Sequence, residues 1–148
     1  PLHFEIKLLR ELKVDARGPG CKYKILHPFG GKAEFGIRVD LKPEVNPDVI
    51  ADAHNLPFKN NVFSAVISDP PYNDEYSKKL YGTEKIKLKW GKHTTEAVRV
   101  LKEKGYLVMY HYLATPTIKD TILIKRIFLE TRVWHKLRCV HIYQKEGI

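Results

Sequence analysis

The chain is poor in residues that form cross-links or metal sites: it holds two cysteines, Cys21 and Cys139, and one methionine in 148 residues. Two cysteines are too few for a disulfide framework or a cysteine-based zinc site. The seven histidines show no metal-ligand spacing, so we expect no bound metal. Apolar runs stay short of the roughly 18 residues that a membrane helix needs, and the first residues lack a signal-peptide pattern. These shortages predict a cytoplasmic protein with no membrane partner.

The chain also lacks internal repeats, low-complexity tracts and linker-like segments. Its 148 residues, 43% of them hydrophobic, suffice for one globular domain with one core. We therefore predict a single domain over residues 1–148.

Acidic residues are outnumbered, with 17 Asp and Glu against 26 Lys and Arg, which gives a formal net charge of +9. This excess suits a polyanionic partner, because cations contact phosphates and aromatic rings stack on bases. The alternative is a solvated face, which is what most charge runs form. One basic cluster, interleaved with Tyr76, Tyr81 and Trp90, comprises Lys78, Lys79, Lys85, Lys87, Lys89 and Lys92, and a second comprises Lys125, Arg126, Arg132, Lys136 and Arg138.

The most informative motif is Asp69-Pro70-Pro71-Tyr72, which follows the apolar run at 62–67. Aspartate is a poor strand former and proline cannot donate a ladder hydrogen bond, so strand pairing must stop there. What remains is a corner rich in acceptors beside an aromatic ring. One interpretation is a plain strand end with a Pro-Pro turn, in which Asp69 caps a neighbouring segment.

The other interpretation of this corner is a receptor for an exocyclic amino group. The nitrogen of such a group is a poor nucleophile because its lone pair is delocalised into the ring. The Asp69 carboxylate and the Pro70 carbonyl could each accept one N–H and aim the lone pair at an electrophilic methyl group, so that catalysis is mostly positioning. Tyr72 would hold the base by stacking.

The order of motifs resembles the amino-methyltransferases of the class I S-adenosylmethionine-dependent superfamily, over about residues 25–110. The matching stretches are ILHPFGG at 25–31, GIRVD at 36–40, VIADAHNLPF at 49–58, the motif at 69–72 and GYLVMY at 105–110. The resemblance implies S-adenosylmethionine as cofactor. It also implies roles for single residues: Pro28, Phe29, Gly30 and Gly31 at the methionine end, Asp40 at the ribose, Asp52 and Ala53 at the adenine, Asp69, Pro70 and Tyr72 in catalysis, and Pro71, Asn73, Lys78 and Lys79 at the substrate.

Two positions depart from the family pattern. The family usually has an acid where this chain has His27, and a second glycine where it has Lys32-Ala33. His27 is either a structural histidine or a ligand-binding one. Without the acid, the amino group of the cofactor loses its usual carboxylate partner, so a methyltransferase-like subunit without catalysis is an alternative.

The predicted fold is a minimal Rossmann-like α/β sheet, mostly parallel, with an antiparallel C-terminal hairpin. We expect helices at 3–13, near 75–80 and after Trp90, with Gly105 at a helix C-terminus in a positive-φ conformation. Strands are predicted near 23–27, 35–40, 48–52, 63–68, 105–112, 121–130 and 136–144. Connections at 28–34, 41–47 and 113–120 are too short for the usual crossover helices. One sheet face is therefore expected to be solvated or covered by a second subunit, for example in a homodimer.

Together these features predict a methyltransferase acting on N6 of adenine or N4 of cytosine in DNA. An RNA base methyltransferase is the first alternative, because 148 residues leave no room for a separate sequence-reading domain. The second is the catalytically silent subunit that binds only nucleic acid or a partner.

Overall fold

The computed structural model describes residues 2–71, 88–111, 115–130 and 137–147. This part of the chain contains two α-helices, α1 (Leu2–Glu11) and α2 (Trp90–Val100), and two short 3-10 turns, Cys21–Lys24 and Pro43–Val45. Its strands are β1 (Ile25–His27), β2 (Ile37–Asp40), β3 (Val49–Ile50), β4 (Phe63–Ser68), β5 (Leu101–His111), β6 (Thr121–Glu130) and β7 (Leu137–Lys145). In the described residues, no helix has the length and apolar content that a bilayer crossing requires.

The seven strands form one sheet in the order β3-β2-β1-β4-β5-β7-β6. The first five strands in this order run parallel to one another, whereas β7 runs antiparallel to both β5 and β6. The predicted mostly parallel sheet with an antiparallel C-terminal hairpin is confirmed. The short helix expected near 75–80 lies outside the described residues.

The two helices pack on opposite faces of the sheet. Helix α1 buries Leu8 and Leu9 against the centre of the sheet, where Ile25, Ala65 and Val108 line that face. Helix α2 packs on the other face, in a cluster whose largest members include Phe63, Leu101 and Met109. The β2–β3 end of the sheet is less covered, and Ile50 on the edge strand is 60% exposed. That a second subunit covers one face of the sheet stays a prediction.

The connections between the first strands contain no α-helix, as their lengths predict. Backbone acceptors in these loops are instead bound by the Arg38 guanidinium of β2, which donates to the carbonyl oxygens of Gly31 at 3.0 Å and Val45 at 3.3 Å. Gly30 donates its backbone N–H to Val39 at 2.7 Å. Its α-carbon lies so near that strand that a Cβ would come within 2.7 Å of the Arg38 Cβ. The glycine loop therefore folds closely onto β2 without a crossover helix.

The end of α2 differs from the prediction. The helix stops at Val100 and β5 begins at Leu101, so Gly105 lies inside a strand, and the positive φ of 62° belongs to Lys104. Strand β5 pairs with β4 at Leu101 and again at Tyr106, and the residues between them form an irregularity. A Cβ on Gly105 would approach the Lys102 carbonyl oxygen to 2.8 Å. Glycine is thus required here by close packing of the irregular strand, whereas the sequence pattern suggested a helix end.

Residues 51–62, which also lack a helix, are attached to α2 by hydrogen bonds to the side chains of Arg99 and Glu96. Arg99 donates to the Phe58 carbonyl at 2.7 Å, to the Leu56 carbonyl at 2.9 Å and to Glu96 at 2.6 Å. Glu96 in turn accepts the Leu56 backbone N–H at 2.9 Å. The hydrogen bond from Arg99 lowers the pKa of Glu96 below its usual value.

We expect Arg99→Ala to lower the free energy of unfolding by about 2–3 kcal/mol, because several hydrogen bonds to a charged group are lost and carbonyls are left unsatisfied. Since the native pKa of Glu96 is lowered, its stabilisation is present at neutral pH and is lost as the pH falls through that native pKa. Urea unfolding at neutral and acidic pH measures both effects. The exposed Arg10 on α1 provides the control Arg10→Ala, and equal losses in the two variants would contradict the prediction.

Candidate functional site

The candidate site lies where the strand order reverses. From β1 the chain proceeds to β2 and β3 on one side, and then returns to β4 and β5 on the other. Ligands of open α/β sheets bind in the crevice at such a switch point, outside the carboxyl ends of the strands. His27, Asp40 and Ser68 end their strands at this edge, and Asp69 follows directly after β4.

A cleft opens at this edge of the sheet. It brings together five of the seven residues that the sequence assigned to the cofactor, together with Pro71 from the motif after β4. Its lining comprises Pro28, Phe29, Asp40, Leu41, Ala51, Asp52, Ala53, His54, Pro71 and Leu88.

Asp40 organises the wall of the cleft. Its carboxylate accepts the backbone N–H of Gly31 at 2.9 Å and that of Lys42 at 3.0 Å, one on each oxygen. The side chain is buried, with 5% of its surface exposed. Each carboxylate oxygen has a second lone pair, so Asp40 can fix the glycine loop and still accept a hydrogen bond from a ligand hydroxyl.

A second polar network crosses the floor of the cleft. Asp52 Oδ1 lies 2.9 Å from the His54 backbone nitrogen and 2.6 Å from His54 Nδ1. His54 Nε2 accepts the Lys89 backbone N–H at 2.8 Å, so the ring carries its proton on Nδ1 and donates it to Asp52. This network joins the Asp52 loop to the start of α2. The sequence analysis gave His54 no role, although an Asp side chain commonly accepts the backbone N–H two residues further on, as Asp52 does here.

An open groove adjoins the cleft across Phe29, which lines both. The groove contains Gly30 and Gly31 from the loop after β1, and Asp69 after β4. The Asp69 side chain is 46% exposed. The residues lining the groove are Glu5, His27, Phe29, Gly30, Gly31, Lys32, Ala33, Glu34, Ile67 and Asp69.

His27 lies beneath this groove and is nearly buried, with 4% of its surface exposed. Burial lowers its pKa to about 4, and its ring packs edge-on against that of Phe35, with 5.0 Å between the centroids. Its Nε2 is buried and has no hydrogen-bond partner among the described residues.

Asp69 is held by residues from distant parts of the sequence. Arg138 Nη2 on β7 lies 2.7 Å from Asp69 Oδ1, and the same guanidinium lies over the Tyr110 ring, 4.6 Å from its centroid. The Tyr110 hydroxyl donates to Glu5 of α1 at 2.9 Å. Burial raises the pKa of both Glu5 and Tyr110. The sequence motifs indicated no role for Glu5 or Tyr110, and they indicated Arg138 only as part of a basic cluster.

The remaining assigned residues divide into two groups. Pro70 and Pro71 are buried, and Pro71 lines the cleft, whereas Tyr72, Asn73, Lys78 and Lys79 lie outside the described residues. In the described ranges, His, Cys, Asp and Glu side chains form no group of three that could hold a metal ion.

No family model matches the chain, and no curated protein matches it either. Solved structures, however, match it over nearly its whole length. N-methyltransferase NodS from Bradyrhizobium japonicum has a TM-score of 0.59 at 8% identity, over 99% of this chain and 98% of that one. Geranyl diphosphate C-methyltransferase from Streptomyces coelicolor, solved with S-adenosyl-L-homocysteine, has a TM-score of 0.59 at 11% identity, over 98% and 78%. The YcgJ protein from Bacillus subtilis has a TM-score of 0.59 at 12% identity, over 99% of both chains.

At identities this low the likeness establishes the fold alone. It confirms the predicted minimal Rossmann-like architecture. Since a fold hosts many activities, the reaction and substrate have to be argued from the site.

Proposed function

We propose that the protein is an S-adenosylmethionine-dependent methyltransferase that acts on an exocyclic amino group of a nucleobase, N6 of adenine or N4 of cytosine, in DNA. One observation carries the proposal: Asp69 lines the same groove as Gly30 and Gly31, beside the cleft that Asp40 and Asp52 line. A carboxylate that can accept an amine N–H and the cleft assigned to the cofactor therefore share one edge of the sheet. The solved structure with S-adenosyl-L-homocysteine on the same fold supports the choice of cofactor.

The residues of the cleft suit the adenosine part of S-adenosylmethionine. Asp40 offers carboxylate lone pairs to the ribose hydroxyls, and its two backbone hydrogen bonds hold it in place. Asp52 and Ala53 line the same cleft, and we assign them to the adenine ring. Phe29 lies between the cleft and the groove, so a ligand that fills both would pass along its ring.

The groove suits the amino-acid part of the cofactor, which carries an ammonium group. Position 27 holds a histidine where the resembling family usually has a carboxylate, but Glu5 of α1 lines the same groove. Its side chain is anchored by the Tyr110 hydroxyl at 2.9 Å, and the unpartnered His27 Nε2 adds a buried neutral acceptor. We therefore assign the ammonium group to Glu5 and His27, which together replace the missing acid.

The substrate amine is assigned to Asp69 and the Pro70 carbonyl. S-adenosylmethionine supplies a methyl group on a positively charged sulfur, and its transfer to the amine nitrogen leaves S-adenosylhomocysteine and releases one proton. Asp69 accepts an N–H of the amine and orients the nitrogen lone pair, and the open groove leaves room for a base that is still attached to its strand. The net charge of +9 favours a polyanionic substrate.

Calorimetric titration with S-adenosylmethionine, followed by methyl transfer assayed on DNA, RNA and free nucleosides, tests the proposal. We expect binding of the cofactor, transfer to DNA, and a rate at low DNA concentration that falls steeply with added salt. Transfer to RNA alone would change the substrate class. Absence of cofactor binding would refute the enzyme and favour a nucleic-acid-binding subunit.

We expect Glu5→Gln to raise the Kd for S-adenosylmethionine about tenfold, because a charge-assisted hydrogen bond to the ammonium group is lost. Burial raises the pKa of Glu5. The affinity of the unmodified protein should therefore decline on acidification from a higher pH than an ordinary glutamate would give. Titration calorimetry across pH measures both effects.

The matched control for this variant is Glu11→Gln, which removes the same charge from an exposed position on the same helix. A second control is a deaminated analogue of S-adenosylhomocysteine, which should bind the Glu5→Gln variant and the unmodified protein equally well. If the variant loses as much affinity for this analogue, Glu5 supports the groove by packing and the assignment is wrong.

A further inference from the structure

The role proposed for Asp69 demands a fixed orientation of its carboxylate. Asp69 follows the last residue of β4, and its side chain is 46% exposed. An exposed aspartate can sample several rotamers. An acceptor that must aim an amine lone pair loses much of its effect when it is misplaced by about 1 Å.

Arg138 supplies a restraint on Asp69. Its Nη2 donates to Asp69 Oδ1 at 2.7 Å, which joins β7 to the end of β4 across β5. The guanidinium is planar and presents its donors in a fixed fork. A carboxylate bound by that fork is held more narrowly than one bound by a flexible ammonium group.

Arg138 is itself held in place by the Tyr110 ring. Tyr110 pairs with Val140 across β5 and β7, so Arg138, two residues along β7, lies on the same face of the sheet as this ring. The guanidinium lies 4.6 Å from the ring centroid. Tyr110 is 2% exposed and donates to Glu5. A chain of contacts therefore runs from Glu5 of α1 through Tyr110 and Arg138 to Asp69.

This arrangement contributes little to folding, because an ion pair between partly exposed side chains is screened by water. The side chains of Arg138 and Asp69 are 28% and 46% exposed. The larger expected effect of Arg138 is therefore on the orientation of the Asp69 carboxylate.

We propose that Arg138 is a positioning residue that fixes the Asp69 carboxylate to receive the substrate amine. The inference rests on the proposed function. The inference adds that Arg138 makes the terminal hairpin part of the active site. Tyr110 holds the guanidinium, and Glu5 binds Tyr110. Arg138 acts through Asp69 and does not touch the reacting atoms.

Steady-state methyl transfer by Arg138→Met and Arg138→Lys tests the proposal. We expect Arg138→Met to lower kcat at least thirtyfold while KM for DNA and the Kd for S-adenosylmethionine change less than threefold. Arg138→Lys should recover part of kcat. The control Arg17→Met, which removes the same charge from an exposed loop position, should retain full kcat, and thermal unfolding should give equal midpoints for all three variants.

A double-mutant cycle separates this inference from the proposed function. In an Asp69→Asn background, Arg138→Met should lower kcat by at most a further threefold, because the proposed role of Arg138 is exerted through the carboxylate. If Asp69→Asn alone leaves kcat unchanged, the proposed function is refuted. If Asp69→Asn lowers kcat but Arg138→Met does not, or raises only KM for DNA, Arg138 is a phosphate contact at most and the positioning role is refuted.

Discussion

Asp69→Ala is expected to lower kcat for methyl transfer by roughly 100- to 1,000-fold, the effect of removing one preorganised hydrogen-bonding group from an active site. The amine would keep only the Pro70 carbonyl as acceptor, so its lone pair would no longer be aimed. The side chain is partly exposed, and its removal leaves no cavity in the core. Stability should therefore be nearly unchanged, and single-turnover transfer with bound cofactor measures the loss directly.

The matched variant is Asp69→Asn, which keeps the shape and one acceptor oxygen. We expect it to retain more activity than Asp69→Ala, and both variants to bind S-adenosylmethionine as the unmodified protein does. A loss of cofactor affinity equal to the loss in rate would mean that Asp69 belongs to the cofactor site. Full activity of Asp69→Ala would return the motif to its simpler interpretation, a strand end followed by a Pro-Pro turn.

Asp40→Ala is expected to raise the Kd for S-adenosylmethionine about 100-fold. The carboxylate of Asp40 accepts backbone N–H groups of Gly31 and Lys42, and each hydrogen bond to a charged acceptor contributes about 1.5–3 kcal/mol. Its removal would leave both donors unsatisfied, loosen the glycine loop and remove the acceptor assigned to the ribose. Titration calorimetry gives the Kd, and urea unfolding gives the accompanying loss of stability.

Asp48→Ala is the appropriate control, because Asp48 also accepts a backbone N–H from β2, that of Arg38 at 2.9 Å, but does not line the cleft. It should leave the Kd within a factor of about two. If the Asp40 and Asp48 variants weaken cofactor binding equally, the effect comes from general loosening of β2, and the ribose assignment is wrong.

The predictions that succeeded were those with a local physical cause. An apolar run that ends in Asp69 and two prolines must stop pairing at that point, and β4 ends at Ser68. Short connections cannot hold a crossover helix, and the described loops have none. Five of the seven residues assigned to the cofactor line one cleft, because parallel strands carry the residues after their ends to the same side of the sheet; their role in binding stays a prediction.

The prediction for Gly105 failed because two causes produce the same local pattern. A glycine after an amphipathic stretch usually marks a helix end with positive φ. Here the helix had already ended at Val100, and the glycine is required by close contact with the Lys102 carbonyl. Only the pairing of β5 with β4 distinguishes these cases.

By itself the sequence determined the order of the strands along the chain, the corner at Asp69 and the acids that end or follow β2 and β3, since each depends on residues adjacent in the chain. The tertiary structure alone decided that Arg138 meets Asp69, and that Tyr110 and Glu5 continue this chain of contacts. These residues are separated by up to 105 positions in one contact, and no local pattern encodes which strands become neighbours. The physical reason is that the sheet order β4-β5-β7 and the docking of α1 are set by burial of the whole core, and the polar network is a consequence of that packing.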